Sequence, residues 1–329
     1  MFMIIVRTPL RLPLGGGGTD LPFFYPKYGG ELITASINKY IYVLVSNRKF
    51  HNEFRISYSK TENVSEVKDI ENTRIKEALK LLDIKEPLEI VTISEVPGGS
   101  GLGSSSAFLV GLLNALHAYK REMVSSKTIA EEASQIEINL LKEPIGKQDQ
   151  YASSLGGINN LKINKNGVVS SSPINISYFL LRELENNLHM FFTGIIRNAS
   201  EVINDQAKIF CSEEKENHML QIKEIGLDIK TALEKGDLKK FGRLLNLHWE
   251  IKKKTSNKIS DPRIDSWYDL ALKNGSLGGK IMGAGGGGFF IFYCDNNTNE
   301  FIKKMEESGL IHVPFQFDFD GSKTILNLR

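Results

Sequence analysis

Pro97-Gly-Gly-Ser-Gly-Leu-Gly-Ser-Ser-Ser-Ala107 is the stretch on which the reading of this chain turns. Before it, residues 88–96 alternate, with Leu88, Ile90, Thr92, Ser94 and Val96 against Glu89, Val91, Ile93 and Glu95, and this predicts a strand. After it, Val110, Leu113, Leu116 and Tyr119 predict an apolar helix over about 105–120. Glycines at 98, 99, 101 and 103 permit backbone conformations that turn successive N–H groups toward one point. The start of the helix adds partial positive charge at the same place. Together they make an anion site suited to a triphosphate. That site would draw on Pro97, Gly98, Gly99, Ser100, Gly101, Leu102, Gly103, Ser104, Ser105 and Ser106. The serine hydroxyls can cap the helix and also meet a metal ion. No Gly-Lys-Ser/Thr follows the glycines, and their positions at 99, 101 and 103 do not match G-x-G-x-x-G. Both the common NTPase phosphate loop and the dinucleotide fingerprint are therefore disfavoured.

Working outward, a second helix is predicted over about 126–142. Its apolar arc carries Ala130, Ala133, Leu140 and Leu141, and Glu137 falls inside that arc. A lone carboxylate on a buried face is costly unless a cation offsets it. Mg²⁺ held by few carboxylates plus substrate phosphates meets that need, and so does a structural ion pair. Gly146-Lys-Gln-Asp-Gln-Tyr151 follows. Asp149 could orient or deprotonate an acceptor hydroxyl, with Lys147 tuning it or binding phosphate; read alone, Asp149 could equally cap a helix.

Two further glycine clusters flank the chain. Lys280 precedes Gly283-Ala284-Gly285-Gly286-Gly-Gly288, a run able to crowd against the phosphates or the first loop. Arg7-Thr-Pro-Leu-Arg11 leads to Gly15-Gly16-Gly17-Gly18-Thr19-Asp20. Thr19 and Asp20 offer a hydroxyl and a carboxylate to sugar hydroxyls, and the arginines offer forks for an anion. Ordinary surface arginines beside a turn between strands are the alternative. Elsewhere, strands are predicted at 2–6, 40–46, 188–193 and 289–294, and a hairpin within 156–170. Helices are predicted at 73–83, 198–210, 213–234 and 237–255. Residues 170–187 suit a boundary between lobes.

The 329 residues suggest two lobes or one large α/β unit. With 41 basic and 39 acidic residues, the chain lacks the electrostatic footprint of a nucleic-acid binder. Lys252-Lys253-Lys254 reads as a solvated helix end. Cys211 and Cys294 have neither metal-ligand spacing nor a disulfide framework. No run is long enough to span a bilayer, and the N-terminus does not read as a signal peptide. A cytoplasmic protein with neither nucleic-acid nor membrane partners is expected, and its oligomeric state is not readable.

Pro97–Ala107, Gly283–Gly288 and Arg7–Asp20 resemble, in order and spacing, the three signature motifs of the GHMP kinases, the family of galactokinase, homoserine kinase, mevalonate kinase and phosphomevalonate kinase. The resemblance implies an α+β fold of two lobes, with an ATP-binding N-terminal lobe over 1–175 and a C-terminal lobe over 176–329. The active site would lie in the cleft between them. By motif position, Ser105 and Glu137 would bind Mg²⁺, Asp149 would be the catalytic base or orienting carboxylate, and residues 98–106 would wrap the ATP phosphates. Within the family, Arg7–Arg11, Gly16–Asp20, Gly29-Gly30, Gly146–Ala152, Phe192–Arg197 and Asn204–Gln206 resemble the heptose 7-phosphate kinase branch. This implies transfer of phosphate from ATP to the anomeric hydroxyl of a sugar phosphate, giving the 1,7-bisphosphate for surface-polysaccharide synthesis. Arg7, Arg11, Arg197 and Lys280 are candidates for holding the substrate phosphate, with no choice among them. Asn72-Thr73 stands where the family pattern leads one to expect a histidine. The alternatives are a kinase for another sugar such as fucose or galactose, one for an isoprenoid or amino-acid alcohol, and a non-catalytic sugar or nucleotide sensor. A sensor is expected to lack Asp149 or Glu137, and both are present.

Overall fold

A computed structural model describes residues 2–196, 199–210 and 212–328. The chain begins with β1 (Met3–Gly15), the short helix α1 (Tyr25–Tyr28) and β2 (Gly30–Asn47). The small hairpin β3 (Phe54–Ser57) and β4 (Thr61–Val64), α2 (Thr73–Leu81) and β5 (Leu88–Ser94) follow. Next come α3 (Ser104–Lys120), α4 (Ser126–Ser134) and, after a π-helical turn at Gln135–Leu140, α5 (Gln148–Leu155). The hairpin β6 (Ile158–Ile163) and β7 (Val169–Pro173), α6 (Tyr178–Asn187), β8 (Leu188–Phe192) and α7 (Ala199–Ile209) lead onward. The long helices α8 (Glu213–Lys235) and α9 (Leu238–Lys253) precede α10 (Pro262–Lys273) and β9 (Gly278–Ile281). The chain closes with β10 (Phe289–Tyr293), α11 (Thr298–Glu307), β11 (Ile311–His312) and β12 (Lys323–Leu328).

One sheet has the order β12-β1-β2-β5-β3-β4, with β6 on β2 and β7 on β6; the other has the order β11-β8-β10-β9. The long β2 serves both arms of the first sheet: Gly30–Ala35 pair with β6 and Ile41–Asn47 with β5. The last strand returns to pair with β1, so the C-terminal residues complete the sheet begun by the N-terminal ones. A continuous apolar core joins β1, β2, β5 and α3 to residues of α8, α9, β8 and β10. A second, aromatic cluster packs α9, α10 and α11 on the smaller sheet.

Several elements exceed their sequence expectation. β1 runs to Gly15 rather than ending near Val6, despite Pro9 and Pro13. Its register against β2 shifts between Pro9 and Leu10 and between Pro13 and Gly15. Bulges at these sites accommodate prolines that cannot donate to the ladder. The result carries Arg11, well buried, into the heart of the molecule. The stretch 170–187 holds β7 and α6, the helix capped by the Ser177 hydroxyl. The helix predicted over 126–142 is α up to Ser134 and π from Gln135 to Leu140. Such a turn inserts a residue and rotates the side chains after it, including Glu137.

Candidate active site

Loop 98–103 joins β5 to α3. Gly99, Gly101 and Gly103 all have positive φ, at 74°, 83° and 76°. At two of them a Cβ would also collide with the site itself. At Gly101 it would lie 3.0 Å from the carbonyl oxygen of Met282. At Gly103 it would lie 3.0 Å from Asp149 Oδ2 and 3.1 Å from Arg11 Cγ. The bare backbone thus lets the N-terminus of α3 approach the charged pair below it. Leu102 is buried in the core and anchors the loop, while its carbonyl accepts from Arg11 N at 3.1 Å. The Gly283–Gly288 run lies against the same loop, with Gly288 beside the Ser100 carbonyl and Gly283 beside Gly101. Of the two positions open to it from sequence, crowding against the first loop is therefore the one seen.

Beside this loop opens a cavity of about 500 Å³. Of the expected site residues, Gly99, Gly101, Gly103, Ser104, Ser105, Ser106, Arg11, Gly17, Gly18, Asp20, Glu137, Asp149, Lys280, Gly283 and Ala284 line it. Pro97, Gly98, Ser100, Leu102, Gly285 and Gly286 do not line it. Arg197 lies outside the described residues.

Asp149 sits in the first turn of α5. Arg11 meets it two-pronged: Nε donates to Oδ1 at 2.7 Å and Nη2 to Oδ2 at 3.0 Å. The third arm of the guanidinium, Nη1, donates to the Gly101 carbonyl at 2.6 Å. Arg11 therefore clamps the acidic side chain to the glycine loop, a geometry that only a planar fork supplies.

Glu137 is fully buried. Its Oε1 accepts from Arg74 Nε at 2.9 Å, and its Oε2 from Ser106 Oγ at 2.7 Å and Gln150 Nε2 at 2.6 Å. Burial pushes its pKa up, and the charge of Arg74 opposes this. Arg74 also donates to Glu143. The serine on Glu137 is Ser106; its neighbour Ser105 is exposed at the cavity wall. The Ser104 hydroxyl is buried and unpartnered.

Three expectations are corrected. Lys147 does not reach the cavity: its Nζ donates to Glu131 Oε2 at 3.0 Å and to the Gly167 carbonyl at 2.9 Å, tying α5 to α4 and the β6–β7 turn. It is the residue just before α5, two positions ahead of Asp149. Arg7 binds Asp320 at 2.9 Å and lies over the Tyr40 ring, outside the cavity. The Thr19 hydroxyl is consumed within the fold, its one proton shared between the Gly16 and Glu31 carbonyls while its oxygen accepts from Glu31 N. Asp20 is buried and lines the cavity, its Oδ2 accepting from Gln148 N at 2.9 Å. Burial and the nearby Asp149 raise its pKa.

The cavity also contains groups the sequence reading passed over. Lys252, taken for a solvated helix end, turns inward from α9, and its Nζ donates to the Gly283 carbonyl at 2.6 Å. Burial, with the charge of Arg11, lowers its pKa to about 7. Lys280 is buried and donates to the Leu14 carbonyl at 2.9 Å. Its pKa is lowered by burial and by Lys252 and Arg11. His248, one turn before Lys252 on α9, is buried with neither ring nitrogen partnered among the described residues, and its pKa is also depressed by burial. Arg74, in the region 63–74 that the sequence offers for the adenine pocket, is instead a partner of Glu137, as is Gln150.

Residues 73–157 match the family model for the GHMP kinases N-terminal domain and residues 229–309 the model for the GHMP kinases C-terminal domain. A D-glycero-alpha-D-manno-heptose 7-phosphate kinase of Campylobacter jejuni is 32% identical over 98% of this chain and 99% of that protein. The chain belongs to the GHMP kinases. A galactokinase of Pyrococcus furiosus is 23% identical over 92% of each chain. Among solved structures, a D-glycero-D-manno-heptose 1-phosphate kinase from Bacteroides thetaiotaomicron superimposes with a TM-score of 0.82 at 26% identity, over 99% of this chain and 100% of that one. This GHMP kinase is a sugar kinase, a phosphotransferase whose mixed α/β fold is that of the family. Among the described residues no helix is long and apolar enough to cross a membrane.

Proposed function

We propose that this enzyme moves the γ-phosphoryl group of ATP to the anomeric hydroxyl of a heptose phosphate, D-glycero-D-manno-heptose 7-phosphate, giving the 1,7-bisphosphate. The observation that carries the reading is the contact between three parts: the glycine loop, Arg11 and Asp149. One guanidinium holds both the loop backbone and the carboxylate. A nucleotide on the loop would therefore present its terminal phosphate next to the acid that orients the acceptor. The names of two relatives support the choice of acceptor. They differ in the position of the phosphate, yet both name a phosphorylated heptose.

The amides of residues 98–106 and the N-terminus of α3 would hold the triphosphate. Asp149, fixed by Arg11, would accept a hydrogen bond from the acceptor hydroxyl and take its proton as the new P–O bond forms and the bond to ADP breaks. The free edge of Asp20 and the Gly17–Gly18 backbone would meet the sugar. A magnesium ion fits the donor set: one carboxylate, Glu137, beside the serines at 104–106, where the Ser104 hydroxyl has no partner. Among the described residues no cluster of three or more His, Cys, Asp or Glu offers an all-protein metal cage, which suits an ion completed by phosphate oxygens. Bound there, it would neutralise charge developing on the transferred phosphoryl group. Arg74 opposes the effect of burial on Glu137 and would have to yield part of that contact to the ion.

The test is an acceptor panel with ATP: heptose 7-phosphate, mannose, fucose and galactose. ADP release is followed, and the site of the new phosphate is read by phosphorus NMR. Preferred turnover of heptose 7-phosphate with phosphate at the anomeric carbon is expected. Preference for fucose or galactose would overturn the assignment of acceptor.

A further inference from the structure

Two lysines and a histidine meet in the cavity without a counter-charge among the described residues. Lys252 comes from α9, Lys280 from β9 and His248 from the turn of α9 before Lys252. Among the described residues neither lysine forms an ion pair with a carboxylate; each ammonium spends one donor on a backbone carbonyl. His248 is 1% exposed, lines the cavity and, among the described residues, leaves both ring nitrogens unbonded. Cations in so dry a place repel each other and are costly to desolvate. The fold keeps them together all the same, and each retains donors to spare.

We propose that Lys252, Lys280 and His248 form the subsite for a phosphomonoester dianion carried by the acceptor sugar, and so make the enzyme select a phosphorylated acceptor over the same sugar without phosphate. This deepens the heptose phosphate reading and rests on it. Lys252 is tied to Gly283, which packs on Gly101 of the nucleotide loop, whereas Lys280 points to the acceptor side. Lys280 bonds to Leu14 at the root of the Gly15–Gly18 loop, and the neighbouring cavity wall carries Met219 and Ile222 of α8. Arg11 is the charged neighbour of both lysines, so the subsite adjoins the Arg11–Asp149 pair while remaining separate from it. A sugar could then bridge the two, its reacting hydroxyl at Asp149 and its phosphate at the cluster. A dianion there would supply the missing counter-charge and give His248 an acceptor for a proton it already carries when neutral.

The experiment compares wild type with Lys252→Met and His248→Gln on two acceptors, heptose 7-phosphate and unphosphorylated heptose. Wild type is expected to favour the phosphorylated sugar by at least ~10²-fold in kcat/KM, in line with a few charge-assisted hydrogen bonds. Lys252→Met is expected to shrink that ratio by at least ~10-fold. Equal losses on both acceptors, or a wild type indifferent to the phosphate, would overturn the proposal and leave the kinase reading standing. If neither heptose is turned over, the acceptor assignment fails, and the subsite is judged by a second readout. With the loop saturated by a non-hydrolysable ATP analogue and Mg²⁺, inorganic phosphate should raise the melting temperature of wild type at constant ionic strength and leave that of Lys252→Met unmoved. No shift in wild type, or equal shifts in both, would sink the subsite.

Discussion

The two ends of the cavity are built in opposite ways. At the loop end, recognition is a property of contiguous backbone: residues 98–106 supply amides, glycine torsions and a helix terminus within a single turn of chain. At the acceptor end it is a property of side chains, with Arg11, Asp20, His248, Lys252 and Lys280 drawn from both ends of the sequence. Backbone sites depend on torsion and close approach, and tolerate no Cβ at chosen positions. Side-chain sites depend on desolvated charge, and Asp20, His248, Lys252 and Lys280 carry shifted pKa values as the mark of it. Asp149 stands where the two meet, held to the loop by Arg11.

The sharpest way to break this comparison is at the junction. Asp149→Ala should lower kcat by at least ~10²-fold while affinity for an ATP analogue changes by less than ~threefold. A matching loss of nucleotide affinity would show that the junction belongs to the loop end after all.

Next in size is the buried network at Glu137. Glu137→Ala strands Arg74 and removes the acceptor of Ser106 and Gln150, and should destabilise the fold by ~3 kcal/mol in urea unfolding. Adding Arg74→Met to that variant should recover part of the loss, because the uncompensated charge goes with it. Additive losses would mean that the pair is not coupled.

The acceptor end predicts a pH signature. Lys252 titrates near 7 in the fold and near 10.5 when unfolded. Its folded pKa is depressed, so between those values the unfolded chain holds the extra proton, and stability rises with pH across that window. Below pH 7 both states are protonated and the burial penalty is fully felt. Lys280 acts in the same direction. Lys252→Met should flatten the rise in urea-unfolding stability between about pH 7 and 10. An unchanged slope would place the Lys252 ammonium in water.

The smallest effect is expected at Lys147, which faces Glu131 rather than the cavity. Lys147→Ala should leave kcat within ~twofold and cost no more than ~1 kcal/mol, as half-exposed pairs do. A ~10²-fold loss of turnover would restore it to the chemistry.

The same contrast explains what could be read from the chain alone. The loop end was legible because its requirement is local: positive φ at three alternate positions demands glycine, and the flanking periodicities name the strand and helix. Glu137 was legible as a charge on an apolar arc, although its partner Arg74 lies far off in sequence. The π turn that aims it leaves no clear mark in residue types. Lys252 was misread because three consecutive lysines at a helix end look alike on paper; the helical rotation that sends one inward and leaves Lys254 exposed depends on how α9 packs. Thr19 and Lys147 failed for the complementary reason, since tertiary contacts used up donors that the sequence left free. The reach of β1 was hidden by its prolines, which bulges absorb. Helix α10 was missed with its signal in plain view: Asp261 before Pro262 caps and opens it.

The most direct test of the shared cavity is the structure of the enzyme with a non-hydrolysable ATP analogue and Mg²⁺. The triphosphate should lie within hydrogen-bonding distance of the amides of residues 98–106, with the metal at Glu137 and the terminal phosphate facing Asp149. A nucleotide seated away from that loop, or a metal bound elsewhere, would contradict the account.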